Sequence, residues 1–341
     1  MSVTITNLPN SRVEVRGEIA ADDFSRAVQK VTARIVADAE IEGFRRGKAP
    51  EKLVLERISE DGILHQSAEE ALKHEWPKVL EENKIEAIGP AEFHIIKIAR
   101  GNPLEWLARV AVVPSVTLGD YREIAKKVNG AKDTSELEVT DKEVAETLEY
   151  IHKSRVRKQK SDAPSMPLDD EFAKSLGNFS TLTALKENIR DGLRLEKTGK
   201  RDESHRIKIV ESITEKVAID IPDIMIGTER EKMTQELRAS VEDMGLAWKD
   251  YLAHVKKTED ELKESWLKDA ERRVRVALVL REIAREENIE ANDAEISKRV
   301  EHMLGQYSEA DRAQIDQERV RDYAKGIVRN EKVLDFLEKI Q

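Results

Sequence analysis

The sequence predicts a small α+β domain at the N-terminus followed by an elongated, all-helical remainder. Three observations predict it. Alternating apolar residues, the mark of a half-buried strand, occur in RVEVRGEI at 12–19 and in runs around 92–100 and 104–113. Helical spacing then takes over and holds from about residue 169 to the end. Charged residues make up 37% of the chain and aromatics 4%, a surface-heavy composition suited to long amphipathic helices around thin cores. With 341 residues, the chain is too long for one ordinary core, and two or three domains are expected.

In the first strand, Val13, Val15 and Ile19 face one side and charges the other. Residues 21–39 follow as a helix, with Phe24, Val28, Val31 and Ile35 at helical spacing and Asp22 and Asp23 at its positive end. Then comes the loop IEGFRRGKAP, residues 41–50. Pro50 fits the first position of a second helix through Leu53, Val54 and Ile58. A third helix carries Leu64, Ala68, Leu72, Trp76 and Val79, and Pro77 is expected to kink or restart it. The two later alternating runs read as a hairpin joined at GNP, residues 101–103. Residues 1–112 therefore form the α+β domain.

From Pro114 the pattern loosens, and VNGAKDTSELEVT reads as a linker or extended strap. Thr140 and Glu143 form a capping box opening a helix over 140–160 that carries Val144, Leu148 and Ile151 and ends in KSRVRKQK. SDAPSMPLDD breaks the chain again, so 113–168 is a linker with one helix and 169–341 the helical domain. Within the latter, apolar residues run through Leu182, Leu185, Ile189 and Leu193, then Ile207, Val210, Ile213 and Val217. IDIPDIM marks a helix boundary, with a helix from Pro222 to about Met244. A helix over 260–287 contains RVRVALVLREIA, apolar on more than one face, and is the expected spine. Val320, Tyr323, Ile327, Leu334 and Leu337 define the last helix.

Several chemistries lack their residues. There is no cysteine, hence no disulfide or thiolate site. The seven histidines include no pair at i, i+4 and no HExxH, so no metal is expected. No GxSxG elbow occurs. No basic, apolar leader opens the chain and no run of about 18 apolar residues exists, so a cytoplasmic protein without membrane contact is expected. The net charge of −10 disfavours nucleic acid and anionic membrane as general partners.

The loop at 41–50 stands apart. GFRRGK resembles a phosphate-binding loop, but only Phe44, Arg45 and Arg46 separate Gly43 from Gly47, and Ala49 follows Lys48 where Ser or Thr would hold magnesium. No nucleotide or other cofactor is therefore expected. Two readings remain: a surface turn with Phe44 folded back, or a docking tip whose aromatic fills a pocket while basic residues contact phosphates or carboxylates. Residues 1–112 carry 16 Lys and Arg against 19 Asp and Glu, so attraction to RNA would have to come from this local cluster.

GFRRGKAP between the first two helices of a small N-terminal domain resembles the ribosome-binding signature of the trigger factor family. IDIPDIMI and RRVRVALVLREIA in the helical half are similar to that family's C-terminal domain. The resemblance implies a ribosome-associated, ATP-independent chaperone of protein folding and export. In it, Phe44, Arg45 and Arg46 touch the large ribosomal subunit near the tunnel exit. Gly43, Gly47 and Lys48 shape and support that contact. The helical domain, with projecting arms, would form a cradle for unfolded nascent polypeptides. Met225, Met233, Met244 and Met303 suit broad contact, although each taken singly reads as packing. The family's FKBP-type prolyl-isomerase domain has no room between Lys160 and LDDEFAKSL, so no isomerase activity is expected. The other reading is a free-standing helical adaptor or holdase that does not bind ribosomes. Self-association, a weak homodimer through the arms, is left open.

Overall fold

A computed structural model describes residues 3–133, 135, 137–158, 167–305, 312 and 315–341. The strands are β1 (Val3–Leu8), β2 (Arg12–Ile19), β3 (Ala87–Lys97) and β4 (Leu104–Val112). In chain order the helices are α1 (Ala21–Asp38), α2 (Glu51–Arg57), α3 (Glu60–Glu82), α4 (Tyr121–Gly130), α5 (Asp141–Lys158), α6 (Asp170–Leu176), α7 (Leu182–Thr214), α8 (Asp223–Asp243), α9 (Trp248–Val255), α10 (Glu259–Ser265), α11 (Leu267–Glu286), α12 (Asp293–Leu304) and α13 (Gln317–Glu338). They group into two compact units, each made of two chain segments: residues 1–117 with 218–279, and 118–217 with 280–341.

In the first unit the four strands form one antiparallel sheet in the order β1-β2-β4-β3. Inward residues Val13 and Val15 of β2 meet Phe24 and Val28 of α1 and Ile63, Ala68 and Leu72 of α3 in one core. Trp106 of β4 is fully buried at its centre. The Trp76 and Phe93 rings meet it edge-on at centroid distances of 6.2 and 6.4 Å. Gly17 makes room for that indole, because a Cβ there would lie 2.5 Å from its Cζ2. Helix α3 continues as one helix through Pro77 rather than restarting there. β1 is absent from the sequence reading. Its VTITNL does alternate, but it is an edge strand with most residues exposed, so no strong apolar face announces it.

The segment 218–279 joins this unit at two points. Ser11, at positive φ in the β1–β2 turn, donates through its amide to Asp220 Oδ2 at 3.1 Å and through its hydroxyl to the Asp220 carbonyl. Gly89 lies under Ile224, whose Cδ1 would sit 2.2 Å from any Cβ. The helix expected over 260–287 is two helices. A capping box at Thr258 opens α10, which ends after about two turns, and α11 starts anew beyond Trp266. Leu278, Val279 and Leu280, consecutive in α11, are all buried, which accounts for the all-round apolar pattern.

In the second unit α5, α6 and α7 share a core of Val144, Leu148, Phe172, Ala173, Leu185 and Ile189. α4 lies in the stretch read as linker. Asp120 caps it through the Glu123 amide, and Tyr121 and Ala125 are buried. Ten residues gave the sequence pattern too little length to register. The strap after it is tied to α7, since Arg201 donates to the Ser135 carbonyl at 2.8 Å and Lys197 to the Glu138 carbonyl at 2.7 Å. The Thr140–Glu143 capping box forms as read, each residue's amide donating to the other's side chain. The last two residues of KSRVRKQK lie outside the described residues.

Lys197 also donates to Glu143. That bond, and then those from Thr140, hold the Glu143 carboxyl down to about 2 against an ordinary 4.5. Its folded value lies below its unfolded one, so the stability it lends is present above about 4.5 and is lost as pH falls toward 2. Thr140→Ala should cost about 1 kcal/mol of stability at neutral pH. Thermal unfolding followed across acid pH should show a flatter decline for Glu143→Gln than for the wild type. An unchanged slope would count against the assignment.

Candidate functional site: the loop between the first two helices

Helix α1 ends at Asp38, and Ala39 leaves it in an extended conformation. Two turns follow directly. Phe44 N–H donates to the Ile41 carbonyl at 3.0 Å, and Lys48 N–H donates to the Arg45 carbonyl at 2.9 Å. Each turn has a glycine at its third position, with φ of +89° at Gly43 and +69° at Gly47. A side chain there would be strained, which explains the glycine spacing. Phe44 and Arg45 fall at the junction of the turns, and both are exposed.

The two glycines are not equivalent. A Cβ on Gly43 would meet nothing, so only its φ demands glycine. A Cβ on Gly47 would stand 2.4 Å from the Ala37 carbonyl oxygen, a backbone atom that cannot swing aside. Gly47 N–H also donates to the Ala39 carbonyl at 3.0 Å, closing the base of the loop onto the end of α1. Ala49 is buried, and Val54 of α2 anchors the other side. The tip is thus carried on two pinned ends.

Phe44 keeps 43% of its surface exposed. It does not fold back into the core, the position that a plain surface turn would give it. Arg46 donates to Asp38 Oδ1 at 3.0 Å. Among the described residues, Arg45 and Lys48 have no side-chain partner, and both are exposed. The structure therefore brings all six sequence-predicted residues into one short hairpin-like loop: one open aromatic, two uncommitted cations and one committed cation. Asp38 and Ala39 were not anticipated. A pairing from 38 to 46 across a non-repetitive loop has no periodic signature to read.

Elsewhere the methionines divide. Met233 is buried, Met225 and Met303 are half-buried, and Met244 is 66% exposed beyond the end of α8. Leu246 beside it is also exposed, and Trp248 and Tyr251 stack 5.6 Å apart in α9. Among the described residues no group of His, Cys, Asp or Glu could hold a metal ion, and no helix is long and apolar enough to cross a membrane.

Residues 1–151 match the family profile of bacterial trigger factor protein, and residues 181–339 match that of the bacterial trigger factor C-terminus. Among curated proteins, the trigger factor of Carboxydothermus hydrogenoformans is 28% identical over 433 aligned positions, covering 99% of this chain and 98% of that one. Those of Caldicellulosiruptor bescii and Clostridium botulinum are 26% and 24% identical, each covering 99% of this chain and 96% and 98% of theirs. A solved structure, from work on promiscuous substrate recognition in folding and assembly activities of the trigger factor chaperone, superposes with a TM-score of 0.54 at 18% identity over the full length of both chains. Fold and comparisons define a molecular chaperone with an α+β N-terminal domain and a helical remainder. The chain belongs to the bacterial trigger factor family.

Proposed function

We propose that the chain is a ribosome-associated, ATP-independent chaperone of the cytoplasm. The domain of residues 1–112 docks on the large ribosomal subunit beside the nascent-chain exit through Gly43, Phe44, Arg45, Arg46, Gly47 and Lys48. The helical remainder shields emerging polypeptides. The observation that carries this reading is the loop itself. Phe44 is open to solvent in the same short loop as Arg45 and Lys48, two cations with no partner among the described residues, on a base that Gly47 pins to α1. An exposed aromatic in one loop with uncommitted cations suits a pocket edged by phosphates or carboxylates. The acidic balance of the whole domain leaves this loop as the place where attraction to ribosomal RNA is concentrated.

We further propose that the chain has no prolyl-isomerase activity. α5 and α6 are separated by residues 159–169 alone and pack with α7 into one core. The two matched profiles leave only residues 152–180 between them. The alignment to the Carboxydothermus relative runs over 433 positions against 341 residues here, so at least 92 of them have no residue from this chain. A domain needs about 50 residues or more, and that interval does not hold one.

The test is co-sedimentation of the full chain with vacant 70S ribosomes at low and moderate salt. The wild type should pellet, and a folded variant with Phe44→Ala, Arg45→Ala and Arg46→Ala should stay in the supernatant. Binding that weakens with salt would report the arginine share. Equal behaviour of the two proteins would reduce the loop to a turn and favour a free-standing holdase. A proline-limited refolding assay should show no acceleration above background.

A further inference from the structure

We propose that Asp38 is a built-in competitor for Arg46, an acidic group that holds one docking cation in the free protein and so weakens docking. The proposal rests on the ribosome-docking reading above. Asp38 is the last residue of α1, and Arg46 donates to its Oδ1 at 3.0 Å. The side chains are 62% and 64% exposed, so no burial forces the two together. Asp38 also stands where the helix disfavours it. The C-terminal end of a helix carries partial negative charge and is stabilised by cations, yet the last turn of α1 holds no basic residue and ends on a carboxylate. An acid at that end works against its own helix, and among the described residues its one ion-pair partner is a residue of the docking loop.

The chemistry of exchange follows. A ribosomal phosphate must take Arg46 from a carboxylate that already accepts its charge-assisted hydrogen bond, and the displaced carboxylate then repels that phosphate. Arg45 and Lys48 have no such rival among the described residues. Glu40 before the loop and Glu42 within it are also exposed and make no ion pair among the described residues, so they carry the same charge without the contact. They are natural controls.

The experiment compares ribosome affinity at one low salt concentration for the full chain and its Asp38→Asn, Glu40→Gln, Arg46→Ala and Asp38→Asn/Arg46→Ala variants. Asp38→Asn should bind two- to fivefold more tightly, the range an exposed ion pair can account for. Glu40→Gln should gain less. In the Arg46→Ala background the Asp38→Asn gain should vanish. Circular dichroism melting should show Asp38→Asn folded at least as stably as the wild type. The opposite result, weaker binding by Asp38→Asn, would make Asp38 a group that orients Arg46 and would overturn the proposal. So would a gain that matches Glu40→Gln or persists without Arg46. If the wild type itself never pellets, the docking reading falls and this inference with it. If the wild type pellets and Asp38→Asn is no tighter, only this inference falls.

Discussion

Trp106→Ala is expected to remove roughly 3–5 kcal/mol from the stability of the sheet domain. The indole is fully buried at the centre of the core, with Trp76 and Phe93 standing edge-on to it. Nothing nearby can collapse into the space without giving up those ring contacts. Total stabilities of about 5–15 kcal/mol make this a large fraction. Urea unfolding of the full chain should show it as an early transition. The indole N–H has no partner among the described residues, so Trp106→Phe should cost less than its lost area implies. Gly17 supplies the cross-check. Gly17→Ala should cost about 1–3 kcal/mol by pressing a Cβ onto the ring, and that cost should shrink in a Trp106→Leu background. Strictly additive costs would mean that the two positions do not share the strain.

Asn129→Ala should cost about 2–3 kcal/mol in the second unit, through groups left unpaired rather than through lost area. Asn129 sits near the end of α4 and donates through Nδ2 to the carbonyls of Leu337, at 2.9 Å, and Ile340, at 2.8 Å, at the close of α13. Its Oδ1 lies 2.9 Å from Nε2 of the buried His205 on α7. Both amide protons are committed to carbonyls, so the oxygen must accept, and Nε2 must carry the proton of neutral His205. Burial, and then Lys132, push the His205 pKa below its ordinary value of 6.5. Lys208 acts in the same direction, and Glu338 and Asp202 oppose it. The unfolded chain therefore takes up this proton first. The stability from neutral His205 is full above 6.5 and declines as pH falls below it. Thermal unfolding between pH 7.5 and roughly 5 should show this slope in the wild type and a smaller one in His205→Gln. Equal slopes would remove His205 from the account.

The strands and helices that carry a strong buried face were legible in the sequence. β2, β4, α1, α3 and α7 each repeat apolar residues at one period over enough length to declare themselves. β1 and α4 were not, because the first is an exposed edge and the second is too short. The break at Trp266 was hidden because α10 and α11 are both helical, and periodicity alone does not mark a restart. In the candidate site, the residue types and glycine spacing were legible because positive φ demands glycine. What the sequence withheld was the difference between the two glycines and the hold of Asp38 on Arg46. Both depend on how the end of α1 meets the loop in space, a contact between atoms rather than a pattern along the chain.

The interleaving of the two compact units has a consequence for synthesis. Residues 3–117 leave the ribosome first, yet their unit is completed only by 218–279. Ser11 has no Asp220 to hold, and Gly89 no Ile224 to cover it, until about 100 further residues have been translated. At roughly 5–20 residues per second that interval is about 5–20 s. Throughout it the sheet domain is a finished core with an unfinished border, and the segment 118–217 is equally waiting for 280–341. For those seconds the protein is itself an incomplete nascent chain.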